Sequence, residues 1–439
     1  MRRPDPYEAR ARELCLAAGV DPDSRVGEGR GRPAWVDYRQ SARNEHVARE
    51  QSALAAAPRQ NANAPDPIIV GRHDEGTIGQ MRNCMSYGAA AAGVICADGH
   101  LGYAQPVGGV IAYRGQISVS GVGFDIACGN MAVKLDTKFA QIEDSVATII
   151  SDIAKTISFG IGRVNEERVD HELFESDLWL ASDRKDYKQK AQAQLGTVGS
   201  GNHYVDLMRD EDDHVWIGVH FGSRGLGHST ATKYLKLAGG KDGMNVPPAI
   251  LDANSDLGRA YLAAMELGGL YAYAGREWVV ERVRKIVGGE VTESVHNHHN
   301  FAWLEEHNGE KLWVVRKGAT PAFPGQRGFV GGSMGDDAVI LEGVASEKSA
   351  ELLYSTVHGA GRLFGRMEAK RRFQRAEMDN WLRARGVMLM GADLDESPMA
   401  YRRLPEVLAE HAGTVRILHT MRPFAVVMAG AAEFDPFKD

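Results

Sequence analysis

From residue 68 onward the chain alternates short β-branched and apolar runs with glycine turns. VICADGH (94–100), the apolar parts of GGVIAYRGQISVSGVGFD (108–125), NMAVKLD (130–136), HVWIGVHFGS (214–223), KLWVVRKG (311–318), DAVILEG (337–343) and FAVVMAG (424–430) read as strands. Apolar residues spaced by three and four predict helices near 6–18, 44–57, 139–157, 346–354, 360–384 and 404–411. The segment 246–288 has the same period, in two helical stretches around Gly268 and Gly269. Residues 1–64 are richer in Arg and Ala and run into the breaker-rich RQNANAPDP (59–67). The pattern predicts a partly helical N-terminal extension over 1–64 and one large mixed α/β domain over 65–439.

Composition narrows the class. The chain has 439 residues, 44% hydrophobic and 25% charged, as expected of a globular protein. A net charge of −7 excludes a surface coated in positive charge, but leaves room for a local basic cleft. Cys15, Cys84, Cys96 and Cys128 form no CxxC pair and are too sparse for a disulfide framework, which points to a reducing, cytoplasmic setting. The first twenty residues lack the apolar core of a signal peptide, and no apolar run is long enough to span a membrane.

Candidate chemistry begins at GVGFDIACGN (121–130), where Asp125 and Cys128 stand three apart among glycines. A carboxylate and a thiol on one tight turn form half of a metal site. Three glycine-flanked histidine segments follow: GSGNHYVD (199–206), GVHFGSRGLGH (218–228) and VHNHHNFA (295–302). Any one of these histidines alone reads equally as a hydrogen-bonded core residue. A second centre is HGAGR (358–362), before a predicted helix on which Arg362, Arg366 and Lys370 are spaced by four. That spacing gives one basic helix face, and a helix start beside arginines favours a phosphate. The plain alternative is a loop histidine before a solvated helix.

These segments, with LGTVGSGNHYVDL (195–207), VRKGATPAFPGQ (315–326) and GSMG (332–335), occur in the order seen in the RtcB family of RNA ligases. The chain resembles that family from about residue 73 to about residue 430. The resemblance implies an α+β domain with several β-sheets around a central metal-binding cleft. It implies that Asp125, Cys128, His203, His220 and His299 bind two Mn²⁺ ions, with Cys128 bridging them. Ligand type alone would suit Zn²⁺ at least as well. It further implies that His358 attacks the α-phosphate of GTP to give a covalent histidine–GMP. The GMP then activates an RNA 3′-phosphate for attack by a 5′-hydroxyl, and a 2′,3′-cyclic phosphate is first opened. Asn202, Asp206, Arg224, Gly359, Ala360, Gly361 and Arg362 fall at nucleotide-binding positions. Arg316, Lys317, Arg366 and Lys370 become candidate RNA contacts. The implied partners are RNA with those ends, GTP and an archease-like activator.

Three positions depart from the family wording. Asp206 stands where a Glu is usual near guanine, Ala338 near a usual Ser, and Ala429 where a Lys is usual. The phosphate chemistry is complete while the base reading is altered. Two alternatives follow: a metal-dependent phosphoesterase that opens cyclic phosphates, and a non-ligating paralogue that binds RNA ends.

Overall fold

The computed structural model describes residues 5, 7–26, 32–39, 41–42, 61, 63–166 and 168–430. The helix expected at 44–57 lies outside them. The chain divides into two units, Met1–Pro58 with Leu237–Gly239, and the remainder. In the first, helix α1 (Glu8–Ala17) buries Ala11 and Cys15, and Arg25–Val26 pairs with Arg32–Pro33.

Two sheets build the second unit. Their main strands, in chain order, are β1 (Ala90–His100), β2 (Val107–Tyr113), β3 (Gly129–Lys138), β4 (Tyr204–Arg209), β5 (His214–His220), β6 (Val291–His298), β7 (Asn300–His307), β8 (Glu310–Lys317), β9 (Arg327–Val330), β10 (Ala338–Gly343), β11 (Met388–Ala392) and β12 (Val415–Gly430). The wider sheet runs β6-β3-β5-β4-β12-β10-β9, antiparallel throughout, with β11 parallel to β12 as its eighth strand. The narrower runs β7-β8-β2-β1 and ends on the parallel pair Ile68–Ile69. The first half of β12 is more exposed than FAVVMAG, which is why only its end was legible. In β4, β6 and β7 polar residues and histidines hide the strand period.

One face of the wider sheet carries an extensive apolar core. Val133, Leu135, Val205, Leu207, Val215, Ile217 and Val219 of its strands meet Ile149, Ile150 and Ile153 of α2 (Val146–Thr156). Val279, Val280 and Val283 of α3 (Asp256–Val287) complete it. The helix expected over 139–157 is shorter, because two 3₁₀ turns occupy 139–145.

α3 corrects the expectation of two helices: it is one helix of 32 residues. Gly268 and Gly269 do not break it; they admit neighbours. A Cβ at Gly268 would lie 3.2 Å from Cγ2 of Ile126, inside the Asp125–Cys128 turn, and one at Gly269 would lie 3.0 Å from the Phe301 ring. The helix thus gives up helical propensity, about 1 kcal/mol per glycine, so that this turn can press against it.

β1 carries the other deformation that matters. Ile95 pairs with Gly109 and His100 with Val107, so residues 96–99 face Gly108 alone. Such a bulge bends the strand and re-aims its side chains.

Replacing Gly268 by Leu tests the close approach. At an open helical site the change would stabilise by about 1 kcal/mol. Here overpacking reverses the sign, and a loss of about 1–3 kcal/mol is expected in denaturant unfolding.

Candidate metal and phosphate site

The Asp125–Cys128 turn lies between β2 and β3 and returns on itself through Ala127, at φ +62°. Ala127 N–H donates to the Asn300 carbonyl (2.8 Å), and the Ala127 carbonyl accepts from Arg276 (3.1 Å). This fixed left-handed residue turns the Asp125 and Cys128 side chains toward one point. His203 enters from the segment before β4, His220 from the end of β5, and His299 from the bend between β6 and β7.

Sγ of Cys128 lies 3.4 Å from Nε2 of His220 and 3.7 Å from Nε2 of His203. Ligand atoms of these three residues all fall within 4.8 Å of one another. Oδ2 of Asp125 is 3.0 Å from Nε2 of His203. The ring of His299 stacks on His220 at 5.1 Å and meets His358 edge-on at 4.9 Å. The expected five residues are therefore gathered at one place. The donor set fits a divalent cation. Nδ1 of His203 and of His299 is buried with no hydrogen-bond partner, while Nε2 of His203 faces Asp125 and Cys128.

Protonation follows from burial. Burial, reinforced by the charges of neighbouring His203 and His358, pushes His220 well below its usual range and keeps it neutral. Burial does the same to His299. Burial, reinforced by Asp125, pushes the Cys128 thiol well up, so a bound cation is what would make it a thiolate. Burial pushes Asp125 up, but the charge and hydrogen bond of His203 outweigh this and bring it down to about 2.

Several supporting residues were not legible in advance. Oδ1 of Asn130 accepts from Nδ1 of His220 (2.6 Å) while its Nδ2 donates to the Phe329 carbonyl (2.8 Å). The amide orientation thus fixes the ring tautomer and leaves the Nε2 lone pair toward Cys128. Arg276 of α3, fully buried, donates to the carbonyls of Ala127 and Phe221, to Nε2 of His296 (2.8 Å) and to Nδ1 of His298 (2.9 Å). His296 and His298 are thereby turned away from the cleft, whereas His299 faces it.

His358 follows the short strand Ser355–Val357. Its Nδ1 donates to Oδ2 of Asp98 (2.6 Å), which also accepts from the His358 N–H (2.9 Å). Nε2 is then the free nitrogen. Asp98 is fully buried on the β1 bulge. Burial pushes its carboxyl up, but the charge and hydrogen bonds of His358 leave it below its usual value. Asp98 sits in a run that reads as plain strand; its one signal was a carboxylate among Val, Ile, Cys and Ala.

A cleft of about 580 Å³ joins the two centres, within the range of small-molecule sites. Asp125, Cys128, Asn202, Asp206, His220, His299, Lys317, His358 and the Gly359–Arg362 and Arg366 stretch line it. Asp206 sits there with Oδ1 unpartnered, and burial pushes its carboxyl well up.

Other expected residues stand elsewhere. Arg316 is fully buried and bonds Glu305, the Ser355 hydroxyl and the Leu353 carbonyl. Strand alternation sends it away from the cleft that its neighbour Lys317 lines. Arg224 donates to the Thr197 hydroxyl and the Gly160 carbonyl and is not part of the lining. Arg366 and Lys370 share α4 (Arg366–Arg372), but Arg362 precedes it, and the expected helix over 360–384 is split because α5 (Arg375–Arg383) starts anew after Gln374. Their charge is also matched. Arg366 pairs with Asp395 and Glu396, Arg362 bonds Glu396 and Tyr401, and Lys370 sits 2.5 Å from Asp393, outside the lining. Ala338 is packed with Trp216, Phe329 and Met421, away from the cleft, and Ala429 does not line it; Val426 and Met428 of the same strand do.

A family model described as RtcB, tRNA-splicing ligase RtcB, matches residues 80–184 and 176–429. The chain belongs to the RtcB family. It is 30% identical to the tRNA-splicing ligase RtcB of Thermococcus kodakarensis, over 83% of this chain and 93% of that protein. It is also 30% identical to the RNA-splicing ligase RtcB of Escherichia coli K12, over 75% of this chain and 88% of that protein. The tRNA-splicing ligase RtcB of Nanoarchaeum equitans is again 30% identical, over 83% of this chain and 94% of its own length. No helix among the described residues is long and apolar enough to cross a membrane.

Two substitutions test the candidate metal site. Cys128→Ala is expected to abolish divalent-cation binding in equilibrium dialysis. Asn130→Ala, which frees the His220 ring, should weaken it by about 10–100-fold.

Proposed function

We propose that this chain is an RNA ligase that joins a 3′-phosphate or 2′,3′-cyclic phosphate end to a 5′-hydroxyl end, using GTP and two Mn²⁺ ions. The observation that carries the reading is His358. Its Nδ1 is held by a buried carboxylate, its Nε2 is free, and its ring lies edge-on to His299 in the same cleft. The RtcB relatives, named as RNA-splicing and tRNA-splicing ligases, supply the reaction class.

Nε2 of His358 attacks the α-phosphorus of GTP; a P–N bond forms, the bond to the bridging oxygen breaks, and pyrophosphate leaves. The ring becomes cationic, because Nδ1 keeps its proton, and Asp98 offsets that charge. An RNA 3′-phosphate oxygen then attacks the same phosphorus and the P–N bond breaks. Last, the 5′-hydroxyl oxygen attacks the RNA phosphate, and GMP leaves. Asp125, Cys128, His203, His220 and His299 would hold the Mn²⁺ ions, whose charge polarises phosphate oxygens. Asn202 and the Gly359–Arg362 turn line the same cleft and would meet the nucleotide phosphates, and Asp206, with its unpartnered Oδ1, would meet the base. Arg366 and Lys317 are the cleft cations best placed for RNA.

Labelled GTP with Mn²⁺ should give an acid-labile adduct on the wild-type protein and none on His358→Ala. Asp98→Ala should slow adduct formation by about 10²-fold or more, by analogy with other imidazoles that lose their carboxylate. Ligation of 3′-phosphate to 5′-hydroxyl RNA should require that adduct. Opening of cyclic phosphates by His358→Ala without any ligation by wild type would favour the phosphoesterase instead.

A further inference from the structure

The ligase reading leaves one imidazole in the cleft without a task. His100 ends β1, two residues beyond Asp98 and immediately after the bulged stretch where residues 96–99 face Gly108 alone. Alternate residues of an extended segment share a face, so the bulge that aims Asp98 at His358 also brings His100 to the cleft wall.

Its surroundings are fixed. Nδ1 of His100 lies 3.0 Å from the Asp98 carbonyl, an acceptor only, so Nδ1 carries the proton and Nε2 the lone pair. No protein partner takes Nε2 among the described residues. The neighbouring carbonyls are held as firmly: Arg402 donates to those of Ala97 (2.5 Å) and Gly99 (3.1 Å), and His73 lies 3.1 Å from the latter. Burial pushes His100 down to about 4, with the charges of His358 and Arg362 adding to it. It is therefore a neutral acceptor at pH 7, and an entering phosphate, being anionic, would raise its basicity.

We propose that His100 is a catalytic residue of the sealing step, whose Nε2 takes the proton of the attacking RNA 5′-hydroxyl. This rests on the ligase reading. As the 5′-oxygen bonds to the RNA 3′-phosphorus, its proton passes to Nε2, the bond from that phosphorus to GMP breaks, and GMP leaves with the electron pair. Histidine–GMP formation needs no such base, because Nε2 of His358 carries no proton to remove. His100 is thus required in one step only.

The test separates the steps with His100→Ala and His100→Gln, using GTP, Mn²⁺ and RNAs with 3′-phosphate and 5′-hydroxyl ends. Both variants should form the His358 adduct within about threefold of wild type, which also reports on folding. Sealing in single turnover should fall by about 10²–10⁴-fold, with guanylylated RNA accumulating. Parallel loss of adduct formation in both variants, unimpaired sealing, or a defect confined to cyclic-phosphate ends would each overturn the assignment. Absence of any adduct on the wild-type protein would instead overturn the ligase reading itself, and this inference with it.

Discussion

A buried guanidinium without a carboxylate partner among the described residues holds the Cys128–His220 cluster together. Arg276 reaches from α3 to the carbonyls of Ala127 and Phe221 and to two imidazoles. Those carbonyls adjoin Cys128 and His220, whose segments lie far apart in the chain. Burying an unpaired charge is costly, and only a full set of acceptors makes it tolerable. The same contacts that satisfy Arg276 therefore fix the spacing of the thiol and the imidazole. The glycines of α3 serve the same end, since they let the helix come close enough for Arg276 to reach.

The cleft sets two imidazoles by one rule and gives them different partners. In both His220 and His358 a bond at Nδ1 leaves Nε2 exposed to the reaction space. The partner of His220 is the amide of Asn130, which carries no charge and suits a neutral ring. The partner of His358 is the carboxylate of Asp98, which can stabilise a ring that becomes cationic. In the proposed reading, the neutral amide behind His220 suits a ring that stays neutral, and the carboxylate behind His358 suits one that becomes cationic.

The five residues that cluster at the cleft were legible as candidates because each is a chemically distinctive side chain beside glycines, and their order along the chain matches one family. Asp98, Asn130 and Arg276 were not, because each lies in an element that reads as ordinary strand or helix. Their roles depend on a bulge, an amide orientation and a helix approach that no local pattern reveals. Arg316 and Lys317 teach the opposite lesson. Adjacent strand residues face opposite ways, so only one of the two could ever have faced the cleft. The single long helix over 360–384 failed for local reasons: α4 begins only at Arg366, after Gly365, so Arg362 precedes it, and a capping box of Gln374 with Glu377 starts a second helix.

Under the proposed ligase reading, Asp395 and Glu396, set against Arg362 and Arg366, would bear on which part of an RNA the cleft holds. These arginines already have anionic partners, so a phosphate gains only the difference between its own attraction and theirs. An internal phosphodiester carries one negative charge and gains little by the exchange. A terminal phosphate carries nearly two and gains more. In the proposed reading, the acids would then act as a threshold, favouring terminal phosphates over intact backbone.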